Sequence, residues 1–361
     1  MTDMLDIAKN TIDTYFNTNN FYSKNLNPIS AEQLRSILSS HGLHKKFPPD
    51  FAIFRIIDNK AECINKEDIT LIEPRANPYE KYITYLIEKY NIVFKNDSHF
   101  IFDLASACTN RKLFKDIDNI VLSYHFPNIS SDLHCIPFTD CHFFHHNYRH
   151  YYKSTYQYSE TPFCKKINKI IWRGNSCPTI RPDEDMYDPD LYKISGNKEW
   201  FYLRLEVCKK YFNNSHMDIG FNKITDAEWK KPYKPFVKDT VDKKNMSEYK
   251  YILDICGIGA TCEATIWKLQ SGSLLFWLVD DIFYKHNLPI WNAWYTPLLK
   301  PFEHYIPVNL ENMEEMYHWC ENHESQCVDI CNNAKATTMK ILQIWEEANS
   351  YILQKISKLD T

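Results

Sequence analysis

Residues 249–278 constrain the fold more than any other part of this sequence. They read as a strand, a turn, a helix and a second strand, in the order 249–255, 257–259, 260–271 and 273–278. Two strands joined by a helix in so short a span pair in parallel, with a right-handed crossover. This half of the chain is therefore predicted to contain a parallel sheet covered by helices.

The rest of the sequence shows the same alternation of helices and strands. Ser30 and Gln33 form a capping-box pattern at the start of a predicted helix at 30–41, whose apolar stripe includes Leu34 and which ends at Gly42. Further elements are predicted at 51–57 (strand), from Pro78 (helix), 119–124 (strand), 169–172 (strand), about 198–212 (helix) and about 325–357 (long amphipathic helix). This pattern indicates an α/β protein with an N-terminal domain at 1–150, a Rossmann-like domain at 151–335 and a C-terminal helix at 336–361 that packs back across the first domain.

The composition excludes several classes of protein. Hydrophobic residues make up 44% of the 361 residues, enough for a sizeable core, and the net charge of −4 does not suggest a nucleic-acid partner. No run approaches the roughly 18 apolar residues of a membrane-spanning helix, and the N-terminal residues lack a signal-peptide pattern. The twelve cysteines are therefore expected to be reduced thiols, and the chain to be soluble and intracellular, in the cytoplasm or a similar compartment; a lumenal form with disulfides is the alternative.

Two concentrations of cysteine and histidine invite a zinc interpretation. One comprises Cys320, His323, Cys327 and Cys331, and the other comprises Cys141, His142, His145, His146 and His150. Neither has the paired-ligand spacing of a zinc knuckle. We interpret the first as the buried face of a helix and the second as a surface or acceptor-side loop, and we expect no metal.

Glycine is scarce in this chain, so its positions are informative. Only seven glycines occur, and four of them lie at predicted strand ends or helix boundaries of the second half: Gly174, Gly257, Gly259 and Gly272. Gly257 and Gly259 separate a strand from a helix N-terminus, where free N–H groups and the helix dipole attract anions. Arg173 follows another strand and could pair with the same diphosphate. These positions together favour a nucleotide-diphosphate site, although a tight turn alone also explains a GxG, and the absence of a P-loop disfavours ATP hydrolysis.

Four segments occur in an order that resembles a known family. They are 170–175 (IIWRGN), 249–254 (YKYILD), 271–274 (SGSL) and 294–308 (WYTPLLKPFEHYIPV). Together they resemble glycosyltransferase family ninety, which includes the Rumi-type protein O-glucosyltransferases, their KDEL-bearing relatives and fungal capsule xylosyltransferases. The HYIPV block at 304–308 is the most specific piece. The likeness is strong over about 168–335, and a weaker match extends upstream through 114–118 (FKDID) to Phe126-Pro127.

The resemblance implies a GT-B-like fold, in which two Rossmann-like domains face a cleft. It also implies transfer with inversion from UDP-glucose or UDP-xylose, without a metal. By position, Asn175 stands where the family has a donor-binding serine, Arg204 matches the arginine that contacts the diphosphate, and 258–263 cover the loop and helix start that hold UDP. The full donor-binding set that we predict is Arg173, Gly174, Asn175, Arg204, Gly257, Ile258, Gly259, Ala260, Thr261, Cys262, Glu263, Ser273, His304 and Tyr305.

Two positions depart from the pattern of the family. The catalytic base of the family is an aspartate in a D-x-P arrangement, and His125 occupies that position. An imidazole can act as a base near neutral pH, with Asp132 or Asp116 to orient it; otherwise His125 is a structural residue beside a remodelled site. The second departure is an arginine expected early in the helix after the glycine-rich turn, where this sequence has Glu263 or Ala264 and neither can bind phosphate.

The leading hypothesis is an inverting glycosyltransferase that moves glucose or xylose from a UDP-sugar to a hydroxyl of a protein or glycan. Such a reaction needs a base for the acceptor hydroxyl and stabilisation of the departing diphosphate. One alternative is a catalytically impaired family member that binds a nucleotide or a glycan, and another is a different α/β enzyme that uses nucleotides. The expected partners are therefore a UDP-sugar and a protein or glycan acceptor, with no nucleic acid, no bound cofactor and no membrane span.

Overall fold

The computed structural model describes residues 2–18, 26–40, 51–69, 76–104, 116–123, 126–127, 135–139, 157–176, 203–224, 233–256, 262–278 and 291–360. Within these ranges the chain forms two five-stranded sheets and a two-stranded ladder. Helices accompany both sheets, so the predicted α/β class is confirmed.

The described helices are α1 (Thr2–Thr18), α2 (Ala31–Ser40), α3 (Asn77–Lys89), α4 (Leu203–Tyr211), α5 (Lys243–Met246), α6 (Cys262–Gln270), α7 (Met313–Asn322) and α8 (Glu324–Ser357). The described strands are β1 (Phe51–Ile57), β2 (Lys60–Cys63), β3 (Ser98–Asp103), β4 (Val121–Ser123), β5 (Phe126–Pro127), β6 (Ile136–Pro137), β7 (Ile167–Asn175), β8 (Met217–Lys223), β9 (Tyr249–Asp254), β10 (Leu274–Leu278), β11 (Trp291–Asn292) and β12 (Ile306–Val308).

The start of α2 shows the capping box that the sequence predicts. The Ser30 backbone N–H donates to Gln33 Oε1 (2.8 Å), and the Gln33 N–H donates to Ser30 Oγ (3.1 Å). These reciprocal bonds satisfy backbone donors that a helix start otherwise leaves without partners. Leu34 of the predicted stripe is buried, so α2 is positioned by a local signal and by burial of one face.

The first sheet mixes antiparallel and parallel strands in the order β2–β1–β3–β4–β6. β1 pairs antiparallel with β2 and β3, whereas β3, β4 and β6 run parallel. Helix α3 packs on this sheet through aromatic rings. The Tyr79 ring lies 3.9 Å from the Phe102 ring, and the Tyr82 ring lies 6.1 Å from the Phe138 ring, between centroids.

The second sheet is wholly parallel and has the order β12–β10–β9–β7–β8. Numbered along the chain from β7, this is the order 2-1-3-4-5 of a flavodoxin-like doubly wound sheet. Helix α4 connects β7 to β8, and α6 connects β9 to β10. The predicted strand–helix–strand unit at 249–278 is therefore confirmed.

The long helix α8 packs against both halves of the molecule. Its Trp345 stacks on Tyr82 of α3, with the ring centroids 5.2 Å apart. Nearer its start, Cys327 and Cys331 belong to the hydrophobic core of the second sheet. One continuous helix thus joins the two parts of the molecule, and the boundary drawn at 335/336 falls inside it.

A short ladder also connects the two halves of the chain. β5 pairs antiparallel with β11, so that Phe126 lies opposite Asn292 and Pro127 lies opposite Trp291. The segment that directly follows His125 in sequence is thereby held against the second half.

The described helices and cysteines bear on two expectations drawn from composition, that the chain has no membrane span and that its cysteines are reduced. None of the described helices combines the length and the apolar character that crossing a membrane requires. The described cysteines are free thiols, and most of them are buried.

Candidate functional site

The strand order of the second sheet reverses between β7 and β9. β8 is added on one side of β7, whereas β10 and β12 are added beyond β9 on the other side. In doubly wound folds such a switch point leaves a crevice beyond the carboxyl ends of the two strands, and ligands bind there. The strands concerned end at Asn175 and Asp254.

Arg204 spans this switch point from the first turn of α4. Its Nε donates to the backbone oxygen of Cys256 (3.2 Å) and its Nη2 to that of Ile255 (3.3 Å), just beyond the end of β9. Its Nη1 donates to the backbone oxygen of Asn175 (3.2 Å) and to the Oδ1 of the same residue. The structure thus brings together two residues of the predicted donor site, Asn175 and Arg204, and all of these acceptors are neutral oxygens.

Trp172 packs beside Arg204 and explains a neighbouring glycine. The guanidinium carbon of Arg204 lies 5.8 Å from the centroid of the Trp172 ring, within range of a cation–π interaction. Gly174 lies two residues further along β7 and faces the same side, where a Cβ would come within 2.5 Å of the Trp172 ring. Gly174 is therefore required by the packing of Trp172, a reason that involves no ligand.

Arg173 lies on the other face of β7 and pairs with Asp218 of β8. Its Nη2 is 2.8 Å from Asp218 Oδ1, and its Nε donates to the backbone oxygen of Asp239 (3.1 Å). Burial raises the pKa of Asp218, but hydrogen bonds from Lys238, Arg173 and Tyr249 outweigh this effect and lower it to about 2. Arg173 is thus committed to an ion pair that joins β7 to β8, and we leave it out of the site proposed below.

A buried ion pair positions the helix that follows the switch point. Asp254, the last residue of β9, is fully buried, and its two carboxylate oxygens accept from Lys268 Nζ (2.5 Å) and Thr265 Oγ1 (2.5 Å). Both partners lie on α6, so they hold this helix with its N-terminus directly after the segment 257–261. Sequence reasoning placed Asp254 in a family motif without a role, because only the fold shows which side chains reach its carboxylate.

Ser273 lies at the amino ends of the parallel strands (the amino edge of the sheet), whereas Arg204 lies at their carboxyl ends (the carboxyl edge). It directly precedes β10, and its Oγ donates to the backbone oxygen of Tyr249 (2.6 Å) at the start of β9. Lys166 Nζ donates to Ser273 Oγ (3.1 Å) and to the backbone oxygen of Ser247. In a parallel sheet all strands start at one edge and end at the other, so Ser273 is a strand length away from the switch point. We exclude it from the proposed site.

His304 and Tyr305 precede β12, beyond β10 from the switch point. The Nδ1 of His304 accepts from the Lys300 backbone N–H (2.9 Å), and its Nε2 is 3.0 Å from Thr337 Oγ1 on α8. Burial lowers the pKa of His304. The Tyr305 ring packs edge-on against Trp277 of β10, with 4.9 Å between centroids. These contacts account for the HY pair of the motif through packing, and we leave both residues out of the proposed site.

Several predicted site residues lie outside the described part of the chain. These are His125, Asp132 and the segment 257–261, and the side chains of Cys262 and Glu263 at the start of α6 lie outside it as well. Ala264, the other candidate for the position of the expected arginine, packs against the cluster of Ile171, Met246, Ile252 and Trp267.

Asp116 and the segment after His125 lie at opposite ends of β4. Asp116 is exposed and precedes β4, beside Gln33 and Ser36 of α2, whereas Phe126 follows the carboxyl end of that strand. This placement gives no support to Asp116 as the carboxylate that orients a base at position 125.

The cysteine-rich helical segment is buried, as interpreted from the sequence. Cys320 of α7 and Cys327 and Cys331 of α8 all belong to the core of the second sheet. His323, between the two helices, stacks on Trp319 with ring centroids 4.5 Å apart. The second concentration of cysteine and histidine, at 141–150, lies outside the described residues.

The fold and the arginine at its switch point define a doubly wound α/β protein of the kind that binds ligands at the carboxyl edge of its sheet. The family model described as "Glycosyl transferase family 90" matches residues 188–358. Residues 188–358 are thus similar to this family of glycosyltransferases, and the resemblance seen in the sequence is confirmed over that range.

Three similar curated proteins come from viruses. The chain is 28% identical over 197 residues to "Uncharacterized protein 179R" of Invertebrate iridescent virus 6, which covers 48% of the chain and 15% of that protein. It is 30% identical over 98 residues to "Uncharacterized protein 035R" of Invertebrate iridescent virus 3. This match covers 27% of the chain and 8% of that protein. It is 26% identical over 190 residues to "Uncharacterized protein 027R" of Frog virus 3 (isolate Goorha). This match covers 49% of the chain and 18% of that protein. The chain therefore spans less than a fifth of the length of each of these relatives.

Proposed function

We propose that this chain is an inverting glycosyltransferase that moves glucose or xylose from a UDP-sugar to a hydroxyl of a protein or glycan. The observation that carries the proposal is the position of Arg204 at the switch point of the parallel sheet, in contact with Asn175. The match of residues 188–358 to a glycosyltransferase family supports the class of reaction. The diphosphate of the donor would bind between Asn175, Arg204 and the segment 257–261.

The contacts of Arg204 favour an anion at this place. Its hydrogen bonds to Asn175, Ile255 and Cys256 hold the guanidinium at the switch point, where the diphosphate of a donor can reach it. Hydrogen bonds from a guanidinium to a phosphate are charge-assisted and frequently bidentate, which places them among the strong hydrogen bonds of proteins. A diphosphate is therefore expected to displace the side-chain oxygen of Asn175, whose amide can then donate to the phosphate.

The N-terminus of α6 supplies a second attraction for the diphosphate. A helix N-terminus presents free N–H groups and the positive end of the helix dipole. Helix α6 begins directly after the segment 257–261, and the contacts of Asp254 with Lys268 and Thr265 hold it there. The charge that develops on the leaving group would thus meet a guanidinium and a helix N-terminus, the stabilisation that a metal-free displacement needs.

His125 is the proposed general base. It directly precedes β5, whose Phe126 and Pro127 pair with Asn292 and Trp291 in the half of the chain that carries the donor site. In the proposed reaction the acceptor oxygen attacks the anomeric carbon while the bond from that carbon to UDP breaks. The hydroxyl proton passes to the imidazole, and the electron pair leaves with UDP.

Helix α6 supports the alternative, a catalytically impaired family member that binds a nucleotide or a glycan. The nine residues of α6 include no arginine. Its Lys268 is paired with Asp254, and Ala264 packs against the core. A donor diphosphate would then receive less positive charge than the family pattern implies, so a nucleotide could bind without sugar transfer.

A screen of UDP- and GDP-sugars separates these two functions. Thermal shift reports binding, and donor hydrolysis or transfer to peptide and glycan acceptors reports catalysis. We expect turnover with UDP-glucose or UDP-xylose. Binding of a donor without turnover would favour the alternative, and an absence of binding for every donor would argue against both.

Arg204→Ala tests the observation that carries the proposal. UDP affinity, measured by calorimetry, should fall roughly 10- to 150-fold, because a hydrogen bond to a charged group is worth about 1.5–3 kcal/mol. Lys209→Ala is the matched control, since it removes a partly exposed cation from the same helix and should leave the affinity unchanged. Equal affinities of wild type and Arg204→Ala would remove this site from the proposal.

His125→Ala tests the assignment of the base. Removal of a positioned base typically costs about 10²–10⁴ in rate, so transfer should fall by that factor while UDP binding stays nearly unchanged. His125→Asp introduces the base that the family uses, and retained or improved transfer would mean that the site still fits a carboxylate. Full activity in both variants would contradict the assignment and leave Asp132 as the next candidate.

A further inference from the structure

Three side chains that the proposed reaction does not use meet at the amino edge of the parallel sheet. They are His216, Glu314 and His318, whose ligand atoms all lie within 4.8 Å of one another. His216 directly precedes β8, and Glu314 and His318 lie one helical turn apart on α7. Within the described ranges, these residues form a group of histidine and carboxylate side chains close enough to share a metal ion.

The side chain of Asn214 connects two of these residues. Its Oδ1 accepts from the backbone N–H of His216 (2.8 Å), and its Nδ2 donates to Glu314 Oε1 (3.2 Å). Its own backbone N–H donates to the backbone oxygen of Tyr211 at the end of α4 (3.0 Å). One amide therefore fixes the strand start that carries the first histidine and orients the carboxylate on the facing helix.

The histidine rings are also close to each other. The His216 ring centroid lies 5.4 Å from that of His318 and 4.7 Å from that of Tyr317. Glu314 and His318 are exposed and His216 is half-buried, so their side chains can rotate toward a shared ion. Tetrahedral ligands with bonds of about 2.0–2.1 Å lie about 3.4 Å apart, so movements of about 1 Å complete the site.

We propose that His216, Glu314 and His318 bind a divalent transition-metal ion, with Zn²⁺ as the preferred ion and water in the fourth position. Two imidazoles and one carboxylate suit Zn²⁺, whereas Mg²⁺ and Ca²⁺ prefer oxygen ligands. Two ligands one turn apart on a helix, with a third from another element, match the geometry that zinc sites use.

The site is structural, because it lies far from the switch point. β8 runs from Met217 to Lys223, and at about 3.3 Å per residue its ends are about 20 Å apart. His216 precedes the first end, while Asn175 pairs with Lys223 at the other. A bound ion would tie α7 to the start of β8, and because α7 leads into α8, it is expected to stabilise the fold.

Zn²⁺ binding to the full chain, measured by competition with a chelator, tests the proposal. Wild type should bind one Zn²⁺ that is lost, or weakened at least about tenfold, in both His216→Ala and His318→Ala. Asn214→Ala should weaken the same site about tenfold, because it positions two ligands. His323→Ala is the matched control, since His323 follows the same helix but stacks on Trp319 outside the cluster, and it should bind as wild type does.

Zn²⁺ bound to other histidines or to cysteines would be common to all variants and cancels in the comparison. Circular dichroism in the presence of a chelator establishes that each variant is folded. Glu314→Gln, a change at an exposed residue, replaces any histidine variant that does not fold, and it should also lose the site. The proposal is overturned if wild type lacks this Zn²⁺ or if His216→Ala and His318→Ala bind it with unchanged affinity.

Discussion

The two edges of the parallel sheet each hold a cation that donates hydrogen bonds to oxygens at the strand ends, and only the carboxyl edge lies at the switch point. At the carboxyl edge, Arg204 is half-buried and bonds to the ends of β7 and β9 at the switch point. At the amino edge, Lys166 is buried and donates to Ser273 Oγ and the backbone oxygen of Ser247. Burial lowers the pKa of Lys166, as expected for a cation removed from water.

This difference shows that a glycine and a polar or basic residue at a strand end do not by themselves indicate a ligand site. Gly272 adopts φ +70° in the turn before Ser273, so it serves the chain reversal at the amino edge. Whether a strand end can form a ligand site depends on the strand order, because a doubly wound sheet opens a crevice at the carboxyl ends of the strands at its switch point.

The largest effect is expected at Asp254, where β9 ends. Asp254→Ala leaves Lys268 as a buried cation without its carboxylate, and breaking a buried pair in this way costs about 3–5 kcal/mol of unfolding free energy. Urea unfolding measures the loss. The control is Glu311→Ala, which breaks the exposed pair with Lys210 and should cost at most about 1 kcal/mol. Equal losses in the two variants would mean that the Asp254 pair does not hold α6 in place.

The second-largest effect distinguishes Arg173 of β7 from Arg204 of α4 by what each contributes to stability and to UDP affinity. Arg173→Ala removes charge-assisted bonds to Asp218 and should cost about 1.5–3 kcal/mol of unfolding free energy. UDP affinity should stay within about twofold of wild type, because the guanidinium is committed to the β7–β8 pairing. Arg204→Ala should show the reverse order of effects, a large loss of affinity and a smaller loss of stability. A tenfold fall in UDP affinity for Arg173→Ala would return Arg173 to the donor site.

The sequence predicted those parts of the fold that are encoded locally. The capping box of Ser30 and Gln33, the strand at 51–57 and the unit at 249–278 depend on neighbouring residues and on period, which a sequence displays. The long helix was predicted at 325–357 and extends from Glu324 to Ser357. Residues 336–361 were expected to pack back across the first domain, but the individual side chains that meet there, such as Trp345 and Tyr82, depend on tertiary packing and could not be predicted.

The candidate site was predictable only in part, because it depends on pairing across strands. Asn175 and Arg204 are separated by a long stretch of sequence, and the family pattern named them before the structure brought them into contact. Arg173 could not be told apart from them, because its partner Asp218 lies on a strand whose place beside β7 the sequence does not reveal. Ser273 was misplaced because a strand start and a strand end look alike in sequence.

A smaller effect is expected for Ser273→Ala at the amino edge. The change removes a buried hydroxyl that donates to the Tyr249 backbone oxygen and accepts from Lys166, and it should cost about 1 kcal/mol of unfolding free energy. UDP affinity should not change. Ser40→Ala, which removes an exposed hydroxyl at the end of α2, is the control and should stay within about 0.5 kcal/mol of wild type. A loss of UDP affinity in Ser273→Ala would contradict the separation of the two edges.

The last effect is a pH dependence that comes from His304. Burial lowers its pKa in the folded state, so the unfolded chain binds the proton more readily. Stability should therefore fall as pH drops below about 6.5, the ordinary value for histidine, until the folded-state pKa is reached. The loss is at most about 1.4 kcal/mol per pH unit. Protonation would also take Nδ1 away from the Lys300 N–H that it accepts from.

His304→Gln should flatten the decline in stability between pH 7 and pH 5.5, measured by urea unfolding in the presence of a chelator. The matched control is Thr337→Val, which removes the partner of His304 Nε2 but keeps the titrating imidazole. This control should lower stability by about 1 kcal/mol at every pH and keep the slope of wild type. Identical slopes for wild type and His304→Gln would show that the HY pair at the start of β12 is not a source of acid sensitivity.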